Sequence, residues 1–347
     1  MQPIHTLHDF FLRSGADVRA YHLGRRVEPC ALDTLAHFES GESPWPAPWQ
    51  AQARLGLVFR LGDVPDPLIW FLALPLDEQG HLSPAPRDAF VQRLLETLGR
   101  SVQNLGRESG DTVDNLMKDN PLAFTPSLTF QALLHARATR DMGLPASQHL
   151  EPVEAYLSGQ QTQDWQALGL QGIADYAVRL DDEAADTLAG QLRELPDEVL
   201  TSLCYCLEHV EIPDTLAVAL RHRGEAAAGL GDIEAFCACV RAVSGASPTL
   251  AGEWFDALLA DPDACGPDLF AAMAGRGWFH LEEAERLPRF LTRLAEEPRA
   301  DFAAVARDLA LIPRLRLPVL MVLREAEATS PIGRRLAGLA APRQPQG

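Results

Sequence analysis

The chain has 347 residues, enough for more than one domain and for a sizeable core. Apolar residues make up 47% and charged residues 22%, which excludes wholesale disorder, and no apolar run reaches the roughly 18 to 20 residues that span a bilayer. The formal net charge of −18 is concentrated: residues 151–270 hold 22 acidic and 5 basic side chains, against a net −4 in 1–150 and +3 in 271–347. An acidic middle repels phosphate backbones, so no nucleic-acid partner is expected, and no membrane partner either.

The opening residues, MQPIHTLHDFFLRSG, show no basic stretch leading into an apolar one. No secretory signal is expected, and the expected location is the cytoplasm. Six cysteines spread over this length do not form a disulfide framework. The basic residues are 29 Arg and a single lysine, Lys118, which reads as the codon bias of a GC-rich genome.

In chain order, residues 6–13 predict a short amphipathic helix closed by Gly15, 17–23 a strand, and 31–38 a helix ending at Gly41. In 53–61, Leu55, Leu57, Phe59 and Leu61 share one face at period two, the pattern of a half-buried strand. Residues 68–74 (LIWFLAL) are apolar on both faces and predict a central strand. Residues 62–67 (GDVPDP) have turn chemistry, so the two strands should pair as a hairpin. Pro84 and Pro86 then lead into a long helix from 87. Residues 104–130 are broken by Gly106, Gly110, Pro121 and Pro126 and read as a connector. Helices follow over 128–140 and about 152–157.

From Asp164 the chain repeats. Helices are predicted to begin at Asp164, Asp197, Asp232, Asp268 and Asp301, where an aspartate can accept first-turn N–H groups and complement the helix dipole. Second helices fall between them, over 182–192, 213–221, 248–259, 282–294 and 318–324, three with proline in the first turn. Two helices per roughly 34 to 36 residues is the pattern of stacked helical pairs. The tetratricopeptide pattern is absent, and a HEAT-like array fits better. The expected fold is mainly α: a small α/β domain with an antiparallel hairpin over 1–103, a helical connector over 104–160, an α-solenoid-like array over 161–340, and a disordered tail over 341–347.

Nothing in the sequence carries a catalytic, cofactor or metal signature. The phosphate-loop, dinucleotide, zinc-protease and serine-hydrolase motifs are missing. The 261–266 segment (DPDACG) opens like a calcium loop but has Cys265 at position five and Ala272 at position twelve, so it reads as a capping turn. Cys204/Cys206 and Cys237/Cys239 sit mid-helix, where residues two apart point about 200° apart. They are expected to be buried packing residues without zinc. Cys204 and Cys239 each lie seven residues after their aspartates, so stacking should bring them close. Arg25 and Arg26 could bind a phosphate or carboxylate, but two adjacent loop arginines read as solvated.

Two surfaces remain as candidate partner sites. Residues 44–50 (PWPAPWQ) present Trp45 and Trp49 either as a rigid aromatic anchor or as rings folded onto the hairpin. The acidic stretch, with Asp181, Asp182 and Glu183, is either a solvated face or a docking surface for a basic partner.

Several blocks together resemble an uncharacterised proteobacterial family, a domain of unknown function: 23–27 (LGRRV), 44–50 (PWPAPWQ), 67–80 (PLIWFLALPLDEQG), 120–127 (NPLAFTPS) and 168–182 (LGLQGIADYAVRLDD). The resemblance covers about residues 5 to 338. It implies a cytosolic bacterial protein and supplies no activity, cofactor or catalytic residue. The first functional expectation is a non-enzymatic interaction scaffold or adaptor. The others are an enzyme or small-ligand protein with a site between the α/β domain and the helices, and a structural subunit of a larger assembly.

Overall fold

The computed structural model describes residues 4–60, 67–103, 117–118, 120–160 and 165–340. Of the expected turn at 62–67 only Pro67 is described, and Leu61, Gly106, Gly110, Asp164 and the tail from 341 lie outside the described residues. The chain falls into two compact units, Met1–Ala138 with Leu311–Pro313, and Thr139–Ala310 with Arg314–Gly347. Among the described residues no helix is long and apolar enough to cross a membrane.

The first unit is built on a four-stranded antiparallel sheet of order β2-β1-β3-β4. Helix α1 (Leu7–Ser14) starts at Thr6, whose hydroxyl accepts from Asp9 N at 2.9 Å, and ends at the left-handed Gly15. Strands β1 (Asp17–Leu23) and β2 (Val27–Cys30) form a hairpin, then come α2 (Leu32–Glu39), β3 (Gln52–Arg60), β4 (Leu68–Pro75), α3 (Pro84–Gln103) and α4 (Leu128–Asp141). The β3–β4 pairing is antiparallel, with Leu57 opposite Trp70 and Leu55 opposite Leu72.

One sheet face carries Ala20, Leu55, Leu57, Phe59, Trp70, Leu72 and Leu74, packed in one core with Phe10 and Phe11 of α1, Phe38 of α2 and Phe90 of α3. Phe59 and Trp70 meet edge to face at 4.7 Å. Strand β3 is buried on both faces, contrary to the half-buried pattern expected of it. The reason is Gly56 on its second face. A Cβ there would lie 3.1 Å from Leu134 Cδ2 of α4, so the missing side chain lets α4 close over the strand. The expectation that 68–74 is central also fails. Strand β4 is last in the sheet order, and the segment beyond it lies alongside, Ala73 N donating to Leu122 O at 2.7 Å and Phe124 N to Phe71 O at 3.2 Å. The outer edge of β4 is thus covered by that segment and not by a second neighbouring β-strand.

A buried carboxylate ties the helices of this unit. Glu39, at the end of α2, accepts from Leu7 N and His8 N at 2.8 Å each, in the first turn of α1. Arg87 of α3 donates to it at 2.9 Å. The unpaired first-turn N–H groups and the positive helix end are thus met by one anion.

The second unit is an array of helices: α5 (Leu150–Leu157), α6 (Leu170–Arg179), α7 (Asp182–Gln191), α8 (Asp197–Leu207), α9 (Asp214–Gly229), α10 (Ile233–Val243), α11 (Pro248–Ala260), α12 (Pro267–Arg276), α13 (Arg286–Glu296), α14 (Phe302–Leu311), α15 (Pro313–Glu325) and α16 (Pro331–Ala340). They pack as two layers in sequence order. In one, α6 meets α8, α8 meets α10 and α10 meets α12; in the other, α5 meets α7, α7 meets α9, α9 meets α11 and α11 meets α13. Later in the chain, α16 returns to pack on α13.

The aspartates play more than one role. Asp232 and Asp301 accept first-turn N–H bonds at 3.0 Å, from Ala235 and Ala304. Asp197 and Asp268 lie inside the first turn behind Pro196 and Gly266, where they complement the dipole without capping, and Asp197 also pairs with Arg223. After Asp164 there is only a 3-10 turn, Trp165–Ala167, and α6 begins at Leu170. Pro318 sits inside α15 and not in its first turn.

The period brings equivalent loops together. Ile212 N, between α8 and α9, donates to Gly245 O, between α10 and α11, at 3.1 Å. A Cβ on Gly245 would sit 2.2 Å from Val210 O, so only glycine allows this approach. Gly245→Ala should therefore lower the urea unfolding midpoint, at a cost of about 1–3 kcal/mol. Gly229→Ala should raise it by about 0.5–1 kcal/mol, because a methyl group at that helical position meets nothing within 4 Å. Equal effects at both sites would show that the loop contact does not hold the array together.

Candidate functional site

The 44–50 loop separates its two tryptophans. Trp45 is fully buried, its ring 4.9 Å from Phe38 and 4.8 Å from His22, with its backbone N–H donated to Gly80 O at 2.9 Å. It is a core residue of the first unit and offers no surface to a partner. Trp49 is half-buried and closes a tight turn, exchanging 3.0 Å backbone hydrogen bonds with Gln52. Gln50 and Ala51 adopt left-handed φ values of 51° and 58° to make that turn. The Arg25 guanidinium lies 5.2 Å from the Trp49 ring centroid. Arg25 and Arg26 are buried, not solvated as the sequence suggested; the planar Arg25 head stacks where a strongly hydrated lysine would not. Burial pushes His22, beside Trp45, down to about 4.

The acidic residues at the start of α7 are exposed. Asp181 is the N-cap, its Oδ1 accepting from Ala184 N at 2.9 Å. Asp182 and Glu183 occupy the first turn, and their carboxylates make no hydrogen bond or ion pair among the described residues. Asp181 therefore caps the helix, and its two neighbours are exposed at the positive end of the dipole. Trp45 and Trp49 belong to the first unit and the acids to the second.

The sequence reading missed the densest polar cluster. Glu208, at the end of α8, has a side chain only 2% exposed. Arg241, in the last turn of α10, grips both its oxygens, Nη2 donating to Oε1 at 2.8 Å. Arg276, in the last turn of α12, donates to Oε1 as well, and His209 Nε2 lies 3.1 Å from that oxygen. Burial alone would raise the Glu208 carboxyl, but the Arg276 charge, the close approach of His209 and the Arg241 hydrogen bonds outweigh it and hold it well below the carboxylate range. Arg241 also stacks 4.7 Å from the Tyr205 ring. The signal was present as an acid one and two periods before arginines in equivalent last turns.

The cysteines pack beside this cluster. Cys204, Cys206, Cys237 and Cys239 are buried and free, and Cys204 hydrogen bonds Cys239, as the shared seven-residue offset predicts. Burial pushes Cys237 up to about 12; Cys206 is raised by burial too, and Cys204 by its hydrogen bond to Cys239 and by burial. Thiols held protonated are poor nucleophiles at neutral pH. Among the described residues no group of three or more His, Cys, Asp or Glu is placed to hold a metal ion.

Replacing Glu208 leaves two guanidiniums buried without their anion. Glu208→Gln should destabilise the protein by about 3–5 kcal/mol at neutral pH. The depressed Glu208 carboxyl contributes stability that is complete above its ordinary value of 4.5 and is lost as pH falls through its folded value. The stability gap between wild type and variant, followed by urea unfolding, should accordingly narrow below about pH 4.5. A gap that stays constant into acid would mean the carboxylate is not the charged partner.

No curated protein and no solved structure matches the chain. A family model described as Protein of unknown function (DUF3549) matches residues 2–340, a span that contains all the sequence blocks noted above and both structural units almost entirely. The chain belongs to this DUF3549 family of proteins of unknown function.

Proposed function

We propose that the protein is a non-enzymatic interaction scaffold whose helical region is a HEAT-like α-solenoid and whose acidic face, around Asp182 and Glu183, receives a basic protein partner. The observation that carries this reading is the sequence-order packing of two helical layers from α5 to α13. Helical pairs stacked in order expose a long continuous surface built from successive elements, which suits the binding of extended or large partners. The excess of acids in 151–270 supplies the charge, and the open carboxylates of Asp182 and Glu183 supply a place. In the same reading the protein is bacterial and works in the cytoplasm, without a nucleic-acid or membrane partner.

Charge complementarity acts over about 8–10 Å at physiological ionic strength and mainly sets association rate and partner choice. A partner recovered by pull-down from the native host should bind less well as salt rises from low to moderate concentration. The Asp182→Arg/Glu183→Arg variant should weaken it at least fivefold; the two cations at the positive end of α7 cost only about 0.3–1 kcal/mol each in stability, and Asp181 still caps the helix, so the variant stays folded. Salt-independent binding that tolerates both reversals would leave the acidity as a solubility feature.

A further inference from the structure

We infer that the groove between α7 and α9 is a second binding site, one for an acidic peptide segment of a partner protein that carries aliphatic side chains. The groove has a volume of about 690 Å³ and lies between consecutive helices of one layer. Ala219 and Ala226 keep its floor low. Its walls bring Arg193, His222 and Arg223 together, and Leu230, 85% exposed, stands at its rim. That volume is within the usual range for a bound ligand and larger than a simple anion needs.

The charge of the groove runs against its surroundings. Residues 151–270 contain only five arginines and no lysine. Arg179, Arg221, Arg223 and Arg241 are paired with Asp175, Glu225, Asp197 and Glu208. Arg193 makes no ion pair among the described residues, and it projects from the C-terminal end of α7. Arg223 Nε is buried in the groove wall with no hydrogen-bond partner among the described residues, although its terminal nitrogen holds Asp197. A carboxylate in the groove would pair with Arg193 and lie beside the Arg223 head. A small free acid would leave Leu230 and the alanine floor uncovered, and a basic segment would face like charge. An acidic segment with leucine-sized side chains meets both requirements. The site is ten residues, roughly 15 Å, along α7 from the acids at its start, and it does not depend on a basic partner binding there.

The test uses the full chain and a fluorescein-labelled peptide of Leu-Glu-Glu-Leu repeated three times, with Leu-Lys-Lys-Leu repeated three times as control, followed by fluorescence anisotropy. The acidic peptide should bind at low salt and the basic one should not compete at the groove. Arg193→Glu/His222→Glu should weaken the acidic peptide at least tenfold, Arg193→Ala about threefold or more, and Leu230→Ser by a smaller factor. All three positions face solvent at least in part, so thermal unfolding should be unchanged and loss of binding cannot be loss of fold. Asp182→Arg/Glu183→Arg should leave acidic-peptide binding intact, which separates failure of this site from failure of the basic-partner reading. Absence of acidic-peptide binding, or binding unmoved by Arg193→Glu/His222→Glu, overturns the proposal.

Discussion

A carboxylate taken out of water has to be met by charge and hydrogen bonds, and in the helical array that requirement falls on Glu208. Its partners are 33 and 68 residues further along, one and two periods of the array. Arg241 and Arg276 occupy the last turns of their helices, where cations also complement the negative end of the helix dipole. The same contact therefore fixes the relative height of α8, α10 and α12 and satisfies the ends of two of them. Apolar burial alone would let neighbouring helices slide by a turn, because leucines and alanines recur along each face. A single anion with two specific guanidiniums does not slide.

Unit one uses the same device at smaller scale. Glu39 ends α2, meets the first-turn N–H groups of α1 and holds Arg87 of α3. In both units the buried acid sits at a helix end, where backbone or arginine donors converge. Buried pairs of this kind add little net stability over an apolar replacement, yet losing one partner is costly, so their effect is to select one arrangement among many similar ones.

Period and side-chain type made much of this legible in the sequence. The two-residue alternation of Leu55, Leu57 and Phe59 placed β3, and the aspartate spacing located most helices of the array. The meeting of Cys204 and Cys239 followed from their shared offset. What was not legible depended on contacts distant in sequence. Strand β2 is four residues long with a proline inside, too short for a periodic signal. The burial of β3 on both faces depends on Gly56 and the approach of α4, which no local pattern reveals. Trp45 and Trp49 look alike in PWPAPWQ, and only the fold decides that one is core and the other half-exposed. The burial of Arg25 and the clamp on Glu208 are likewise tertiary facts.

The charge of the middle segment is then less uniform than a count suggests. Asp181 and Asp232 cap helices, Asp197, Asp214 and Asp268 sit in first turns, and Asp175, Glu208 and Asp256 are bound to arginines inside the array. Each of these is accounted for by the fold itself. Asp182 and Glu183 also sit in a first turn, that of α7, but are exposed and make no side-chain ion pair among the described residues, whereas Arg193 follows the end of that helix. Net charge is therefore a poor guide to the local charge this surface presents. The groove and the first turn of α7 present opposite charges within about three turns of one helix, so orientation of a bound segment along α7 would be dictated by its own charge order.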